Sequence, residues 1–347
     1  MQRSVLIGYA LIGLTVCRPT AIARAEQPAA APGSIVADIQ SNAVKLRPLI
    51  QADATRAFLD AAGQLPAIAP RTIYRDPESK RAYTATEFQQ LPETQRAACQ
   101  PLTLGERFYY YTRYGSPLMY ARPLDLYARA AGLQRFAGRR IFDFGYGGIG
   151  HLRMLAAEGG DAVGVEVQDL FRALYSHPED QGAVARTNAS PGKLTLIHGA
   201  FPGDDSVRKR AGDGYDLFIA KNVLKRGYIH PEREADPRML IDLGVPDATF
   251  VRTMHAMLKP GGYALIYNLS PAQNPPDQPF IPWADGRCPF ERKLVEQTGF
   301  EVLAWDQPDH AAIHDFWFAL GYDQGQSRAE VAKTLFAHYT LLRRPAR

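Results

Sequence analysis

The sequence predicts an α/β protein built on a mostly parallel sheet, and three observations support this prediction. Residues 139–168 pass from a short apolar run through a glycine-rich turn and a helical stretch into a second apolar run. Further apolar runs and helical stretches alternate along the C-terminal half. The turn Leu-Lys-Pro-Gly-Gly at 258–262 ends a helix and leads into another apolar run. Such alternation is typical of a parallel sheet with helices on both faces.

The first predicted strand, 141–144, leads into a loop whose glycines include Gly145, Gly147 and Gly150. Glycine permits a positive φ and lets a ligand approach the bare backbone. The helix that follows offers unpaired N–H groups at its start. The second predicted strand, 162–167, carries Glu166 near its end, where a carboxylate can accept both hydroxyls of a ribose. The pattern therefore predicts a nucleoside-binding loop.

Asp143 stands two residues before the first glycine of this loop. The string Asp-Phe-Gly-Tyr-Gly-Gly-Ile-Gly at 143–150 resembles the first motif of class I S-adenosylmethionine (SAM) dependent methyltransferases, with one extra residue before its last glycine. A carboxylate at this position suits the ammonium group of SAM better than it suits a pyrophosphate. The resemblance implies that SAM binds to this loop, with Glu166 on its ribose. The alternative is a tight packing turn in an empty α/β domain.

The third predicted strand, 194–197, is followed by Ala200 and Phe201. The resemblance places both residues beside the adenine. The family often has an acid here that contacts the adenine amino group, so Ala200 departs from the pattern. The aromatic ring of Phe201 fits either a stack on the purine or a place in the core.

The fourth predicted strand, 215–220, leads into a segment that resembles the family's segment between cofactor and acceptor. Active groups gather at the carboxyl ends of parallel strands. Lys221 and Asn222 are therefore assigned to the cofactor, and Lys225 and Tyr228 are assigned to the methyl acceptor. Tyr114, from the tyrosine cluster described below, is also assigned to the acceptor. Lys225 stands where many relatives have a histidine. The alternative for the segment is a solvated, basic loop.

The remaining elements complete the predicted sheet. A helix is predicted over 290–298, a sixth strand over 300–305, and a last strand over 336–344 that resembles the antiparallel last strand of the family. Residues 136–347 are therefore identified as a class I methyltransferase domain with a seven-stranded, mainly parallel, Rossmann-like sheet.

The N-terminal part divides into three predicted segments: a signal peptide (1–25), a linker rich in alanine and proline (26–34), and a mostly helical cap (35–135) that begins with a helix over 35–62. The cap contains a cluster of tyrosines between residues 107 and 127. These aromatic side chains are interpreted either as a packing layer over the sheet or as a lid over a cationic ligand.

The first 25 residues combine Arg3, an apolar run over 5–16 and the sequence Ala-Arg-Ala before Glu26. The expected location is therefore outside the cytoplasm, in the periplasm, with an uncleaved membrane anchor as the alternative. Removal of this segment lowers the net charge from +4 to about +1, which favours neither nucleic acid nor a strongly acidic partner, and no membrane contact is expected after cleavage. Cys99 and Cys288 then remain; they permit a disulfide without requiring one, and no metal site is predicted.

The predicted function is transfer of a methyl group from SAM to a small-molecule acceptor. No residue in the sequence identifies itself as a catalytic base. Two alternatives stay open: an exported, non-catalytic binding protein on a methyltransferase fold, favoured by the signal-like N-terminus and Ala200, and an NAD-dependent oxidoreductase. Asp143 and the Lys-Pro-Gly-Gly turn argue against the oxidoreductase.

Overall fold

The computed structural model describes residues 34–112, 115–184 and 191–346. The predicted signal peptide (1–25), all of the predicted linker except Ser34, and Tyr114 lie outside the described residues. In the part that is described, no helix is both long enough and apolar enough to cross a membrane.

The described residues of the N-terminal region form a mostly helical layer with one small sheet. In chain order the elements are α1 (Ile35–Leu46), α2 (Asp53–Asp60), β1 (Arg71–Arg75), β2 (Ala82–Tyr83), α3 (Ala85–Gln90), α4 (Glu93–Ala98), β3 (Gln100–Leu104), α5 (Glu106–Tyr111) and α6 (Ala121–Ala130). The prediction of a mostly helical cap is confirmed. The antiparallel sheet, in the order β2-β1-β3, was not predicted.

The prediction of one helix over 35–62 is wrong, because the chain breaks between α1 and α2. Pro48 lies at the break; a proline removes an N–H donor and its ring clashes with the preceding turn of a helix. The carboxylate of Asp125 on α6 then accepts the N–H groups of Gln51 (3.1 Å) and Ala52 (2.8 Å), just before α2 begins. The second helix thereby starts in a new direction, fixed against α6.

The C-terminal region alternates strands and helices. Its elements are β4 (Arg140–Phe144), α7 (Gly150–Ala157), β5 (Asp161–Glu166), α8 (Asp169–Leu174), β6 (Gly182–Val184), β7 (Gly192–His198), α9 (Asp205–Ala211), β8 (Tyr215–Lys221), α10 (Arg226–Ile229), α11 (Asp247–Met257), β9 (Leu258–Ser270), α12 (Arg292–Gln297), β10 (Glu301–Pro308), α13 (His310–Ala319), α14 (Arg328–Thr334) and β11 (Phe336–Arg343).

These strands form one sheet in the order β10-β11-β9-β8-β4-β5-β7-β6. Strands β7, β5, β4, β8 and β9 are parallel neighbours, and β11 runs antiparallel to both β9 and β10. The predicted mainly parallel sheet and its antiparallel last strand are confirmed. The sheet has an eighth strand, β6, which pairs antiparallel with β7 at the edge and was not predicted.

Helices cover both faces of the sheet. Successive residues of a strand point to opposite faces, so Ile141 and Leu217 pack in one core while their neighbours Phe142 and Phe218 pack in the other. The first core includes α1, α2, α6, α7 and α13, and the second includes α9, α11 and α12. The cap therefore lies on one face of the sheet, beside the helix that follows the glycine loop.

Candidate functional site

The site lies at the carboxyl end of β4, where the chain order of the sheet changes direction. The strand β4 is flanked by β5 on one side and β8 on the other, so the loops that follow these strands diverge and leave a crevice. Two adjacent cavities occupy the crevice, and Gly145 and Glu166 line both of them. We call them the loop pocket, which the cap covers, and the apolar pocket, which lies towards β7.

Glycine is required at two positions of the loop. Gly145 has φ +74°, and a Cβ at this position would lie 2.7 Å from Cγ2 of Val223. Gly147 has φ +56°, and its N–H donates to Oε2 of Glu166 at 3.1 Å. Gly150 begins α7 and packs against the cap, since a Cβ there would lie 2.9 Å from Cβ of Pro117. The predicted glycines therefore hold the loop in a narrow space between β8 and the cap.

Glu166 sits at the junction of the two pockets. It ends β5 and is buried, and its Oε1 accepts the N–H groups of Val167 (2.8 Å) and Gln168 (3.0 Å). Burial raises the pKa of this carboxyl, although the three N–H groups that it accepts act in the opposite direction. The structure thus places Glu166 beside the glycine loop, as predicted.

Asp143 lies behind the wall of the loop pocket and does not line it. It is fully buried, and its Oδ2 accepts the hydroxyl of Tyr120 (3.0 Å) and lies 2.6 Å from Nε2 of His151. The rings of Tyr120 and His151 are stacked, with centroids 3.5 Å apart. Both rings line the pocket, so Asp143 holds them in place instead of facing the ligand itself. Tyr120 belongs to the tyrosine cluster that the sequence offered as a possible lid, whereas His151 was not predicted as a site residue, although it directly follows the last glycine.

Lys221 and Asn222 both line the loop pocket at the end of β8, as predicted. Asn222 also has a structural role, because its Oδ1 accepts the N–H of Leu269 and ties β8 to β9. Lys221 is 6% exposed, and its Nζ lies 5.2 Å from the ring centroid of Tyr120. Burial lowers the pKa of Lys221 to about 8, with Asp143 acting in the opposite direction.

The acceptor-side residues separate in the structure. Tyr228 lines the loop pocket, whereas Lys225 does not. The side chain of Lys225 is fully buried and its Nζ donates to the carbonyl oxygens of Leu269 and, at 2.9 Å, Trp283. Burial lowers the pKa of Lys225 to about 7. Lys225 thus anchors the proline-rich segment after β9 and is not brought to the pocket; Tyr114 lies outside the described residues.

The apolar pocket contains both residues predicted to lie beside the adenine, Ala200 and Phe201. Phe201 also packs against Phe142 in the core, with ring centroids 5.1 Å apart, so the ring serves both the wall and the core. The structure adds an acid that the sequence analysis missed. Asp242 lines this pocket, and its Oδ1 accepts the N–H of Gly244 at 2.8 Å. It comes from a segment far along the chain, so no local motif could have identified it.

The tyrosines of the cap serve in packing and in the pocket wall. Tyr109 is buried, and its hydroxyl donates to Oδ1 of Asp180 at 2.6 Å. Tyr110 is also buried, with its hydroxyl on the carbonyl oxygen of Pro66, and it lines the loop pocket together with Tyr120. Part of the cluster therefore belongs to the packing layer and part of it faces the ligand space.

Among the described residues, no group of three or more His, Cys, Asp or Glu side chains has an arrangement that could hold a metal ion. Cys99 and Cys288 are free thiols in the structure.

No known family model matches the sequence, and no curated protein matches it either. Solved structures show distant similarity. The [4+2]-cyclase SpnF is 16% identical, with 66% of this chain and 83% of that chain covered and a TM-score of 0.38. A putative sarcosine dimethylglycine methyltransferase from Galdieria sulphuraria is 12% identical, with 68% and 87% covered and a TM-score of 0.37. Phosphoethanolamine N-methyltransferase 2 from Haemonchus contortus, in complex with SAM, is 11% identical, with 79% and 68% covered and a TM-score of 0.36. Similarity at this level assigns neither a ligand nor an activity.

Proposed function

We propose that the protein transfers the methyl group of SAM to a small-molecule acceptor. The observation that carries this proposal is the position of Glu166, which lies on the glycine loop and lines both pockets. A ribose held by this carboxylate has an apolar cavity on one side for its base and a cavity with charged and aromatic groups on the other for its 5′ substituent.

The apolar pocket fits a purine. Val165, Phe201 and Ile241 supply apolar surface, and Ala200 leaves space beside them. Asp242 also lines this pocket, and its carboxylate can accept a hydrogen bond from the exocyclic amino group of adenine. The family's acid is missing at residue 200, and Asp242 supplies the same chemistry from another loop. One of the two sequence-based grounds for a non-catalytic binding protein, Ala200, is thereby weakened; the signal-like N-terminus is unaffected.

The loop pocket fits the sulfonium and the amino acid part of SAM. The ring of Tyr120 lines this pocket, held by its stack on His151 and its hydroxyl bond to Asp143. The backbone of Gly145 and Gly147 permits close approach on the opposite side. The pocket therefore offers aromatic surface and closely approachable backbone to the 5′ substituent of a nucleoside held by Glu166.

When bound, SAM supplies a methyl group that is already activated by the sulfonium. The protein therefore has to align the acceptor and exclude water. In well-oriented reactions these effects lower the activation barrier by roughly 7–11 kcal/mol. Tyr110, Ser116 and Pro117 from the cap form one wall of the loop pocket, and Tyr228 closes it from the β8 side. We place the acceptor between these walls.

The arrangement of the sheet argues against an NAD-dependent oxidoreductase. In the dinucleotide fold the sixth strand continues the parallel order beyond the fifth. Here β11 lies between β9 and β10 and runs antiparallel to both.

A methyl-transfer assay tests the proposal. The protein is incubated with SAM labelled in its methyl group and with fractionated small molecules from the native host, and S-adenosylhomocysteine and labelled products are measured. We expect label in at least one fraction and less transfer with the Glu166→Ala variant. If SAM binds but neither product forms with any fraction, the binding-protein alternative is favoured.

A further inference from the structure

The pocket wall contains a buried cation whose partner is not found in the described protein. Lys221 is 6% exposed and lines the loop pocket. Within residues 34–112, 115–184 and 191–346 its Nζ has no hydrogen bond and no carboxylate within 4.0 Å, and it lies 5.2 Å from the ring centroid of Tyr120. Burying a charge without a partner is costly. A ligand that brings an anionic group would remove this cost.

The second buried lysine of the same segment, Lys225, differs from Lys221 because its ammonium has hydrogen-bond acceptors within the protein. Lys225 lies four residues further along and is also buried, but its Nζ donates to the carbonyl oxygens of Leu269 and Trp283. The protein itself therefore provides acceptors for Lys225. The described residues provide no such acceptor for Lys221, which lines the loop pocket instead.

The other charged groups at the site each have hydrogen-bond partners, although Oδ1 of Asp143 has none among the described residues. Glu166 accepts three backbone N–H groups, and Asp143 takes the hydroxyl of Tyr120 and lies against Nε2 of His151 behind the wall. Burial lowers the pKa of His151, which favours its neutral form. Among the charged side chains that line the loop pocket, Lys221 is thus the one without a hydrogen bond to the described residues.

We propose that Lys221 binds a carboxylate of the ligand in the loop pocket. This inference rests on the proposed function, and the carboxylate has two sources of the same chemistry. One is the amino acid end of SAM, and the other is a carboxylate on the methyl acceptor. A compact ammonium with three N–H donors is suited to either of them.

The test compares ligands that differ in the carboxylate alone. SAM and decarboxylated SAM are titrated by calorimetry into the wild type and the variants Lys221→Met and Lys221→Arg. For the second source, benzoate and its neutral counterpart benzamide are titrated into the same proteins saturated with S-adenosylhomocysteine. Lys193→Met is the matched control, because Lys193 is exposed at the start of β7, away from the carboxyl ends of the strands.

If the cofactor supplies the carboxylate, Lys221→Met raises the Kd of SAM by about 10- to 100-fold and leaves that of decarboxylated SAM unchanged. If the acceptor supplies it, Lys221→Met abolishes a preference for benzoate over benzamide and leaves both cofactor affinities unchanged. In either case Lys221→Arg retains part of the affinity for the carboxylate, and Lys193→Met leaves every affinity unchanged.

Two results overturn the inference. One is a loss of affinity that is equal for SAM and decarboxylated SAM, with no preference for benzoate. The other is a Lys221→Met variant that changes no titration. Absence of a SAM site is a separate outcome, in which the wild type binds neither SAM nor S-adenosylhomocysteine. In that case benzoate and benzamide are titrated into the ligand-free proteins, and an equal response of wild type and Lys221→Met overturns the inference about Lys221 as well.

Discussion

At the scale of single residues, Glu166 connects the fold to the ligand. Its carboxylate already accepts N–H groups of Gly147, Val167 and Gln168, so it is oriented before a ribose arrives. Glu166→Ala should therefore weaken SAM binding by about 1.5–3 kcal/mol, the range for hydrogen bonds to a charged group. Glu296→Ala is the control, because Glu296 is exposed on α12. Equal affinity of the folded Glu166→Ala variant and the wild type would exclude Glu166 from the site.

A second residue-scale prediction concerns the pH dependence of binding. The pKa of Lys221 is lowered to about 8 by burial, and the charged or titratable groups around it are Asp143 on β4, Tyr120 of the cap, His151 on α7 and Lys225 beyond β8. Only the protonated ammonium attracts a carboxylate, so if SAM supplies the carboxylate, affinity for SAM should be constant below about pH 8 and should fall above it. The α-amino group of SAM also titrates near pH 8. Lys221→Arg therefore serves as the control, since arginine keeps its charge and shows the contribution of SAM alone. Identical pH profiles of the two proteins would contradict SAM as the source of the carboxylate.

The sequence identified the residue types of the site better than their roles. The acid and glycines of residues 143–150 form a local pattern, and a local pattern is readable from sequence. The direction of a side chain depends on what packs against it. Asp143 was expected to face the ligand, and it lies behind Tyr120 and His151 instead. Lys225 was expected at the acceptor, yet two carbonyl oxygens hold it elsewhere.

At the scale of elements, a buried polar network joins the cap to the sheet domain. Asp180 is fully buried; it binds Arg71 of β1 at 2.5 Å, accepts the hydroxyl of Tyr109 of α5, and lies 3.3 Å from Arg153 of α7. Removal of one partner leaves the two guanidinium groups without their buried carboxylate. We expect Asp180→Ala to lower the free energy of unfolding by about 3–5 kcal/mol, measured by urea denaturation.

The control for this network is Asp53→Ala, which removes an exposed ion pair with Arg56 and should cost less than about 1 kcal/mol. A comparable, small loss for both variants would show that the network does not hold the cap in place.

Elements with a strong periodic pattern were predicted well, and those fixed by tertiary pairing were not. The buried parallel strands are apolar on both faces and stand out in the sequence. The short strands β2 and β6, of two and three residues, carry no such pattern and form only because a neighbouring strand pairs with them. The break after α1 was readable from Pro48, but the apolar spacing on both sides of it suggested a single helix.

At the scale of the whole molecule, the sheet and the cap together create the site. The mainly parallel sheet was predictable from two features of the sequence. The glycine motif at 143–150 identifies the central strand β4, and the alternation of apolar runs with helical stretches predicts the other parallel strands. The way in which the cap packs on the glycine loop was not predictable, since Pro117 and Tyr120 reach the pocket through long-range contacts. The same holds for Asp242, which enters the apolar pocket from the loop before α11.

We propose that the chain is exported and cleaved after Ala25, on the basis of Arg3, the apolar run and the Ala-Arg-Ala sequence. Mass spectrometry of the protein from its native host checks this proposal. The expected mature N-terminus is Glu26, in the periplasmic fraction. Soluble cytoplasmic protein that begins at Met1 or Gln2 would refute it.

The most direct test of the account is calorimetric titration of the wild-type protein with SAM, S-adenosylhomocysteine and NAD. The central claim is that the glycine loop and Glu166 bind an adenosyl group whose 5′ substituent is charged and enters the loop pocket. We predict saturable binding of SAM and S-adenosylhomocysteine at one site per chain and no binding of NAD. Binding of NAD without binding of SAM, or binding of none of the three, would contradict the account.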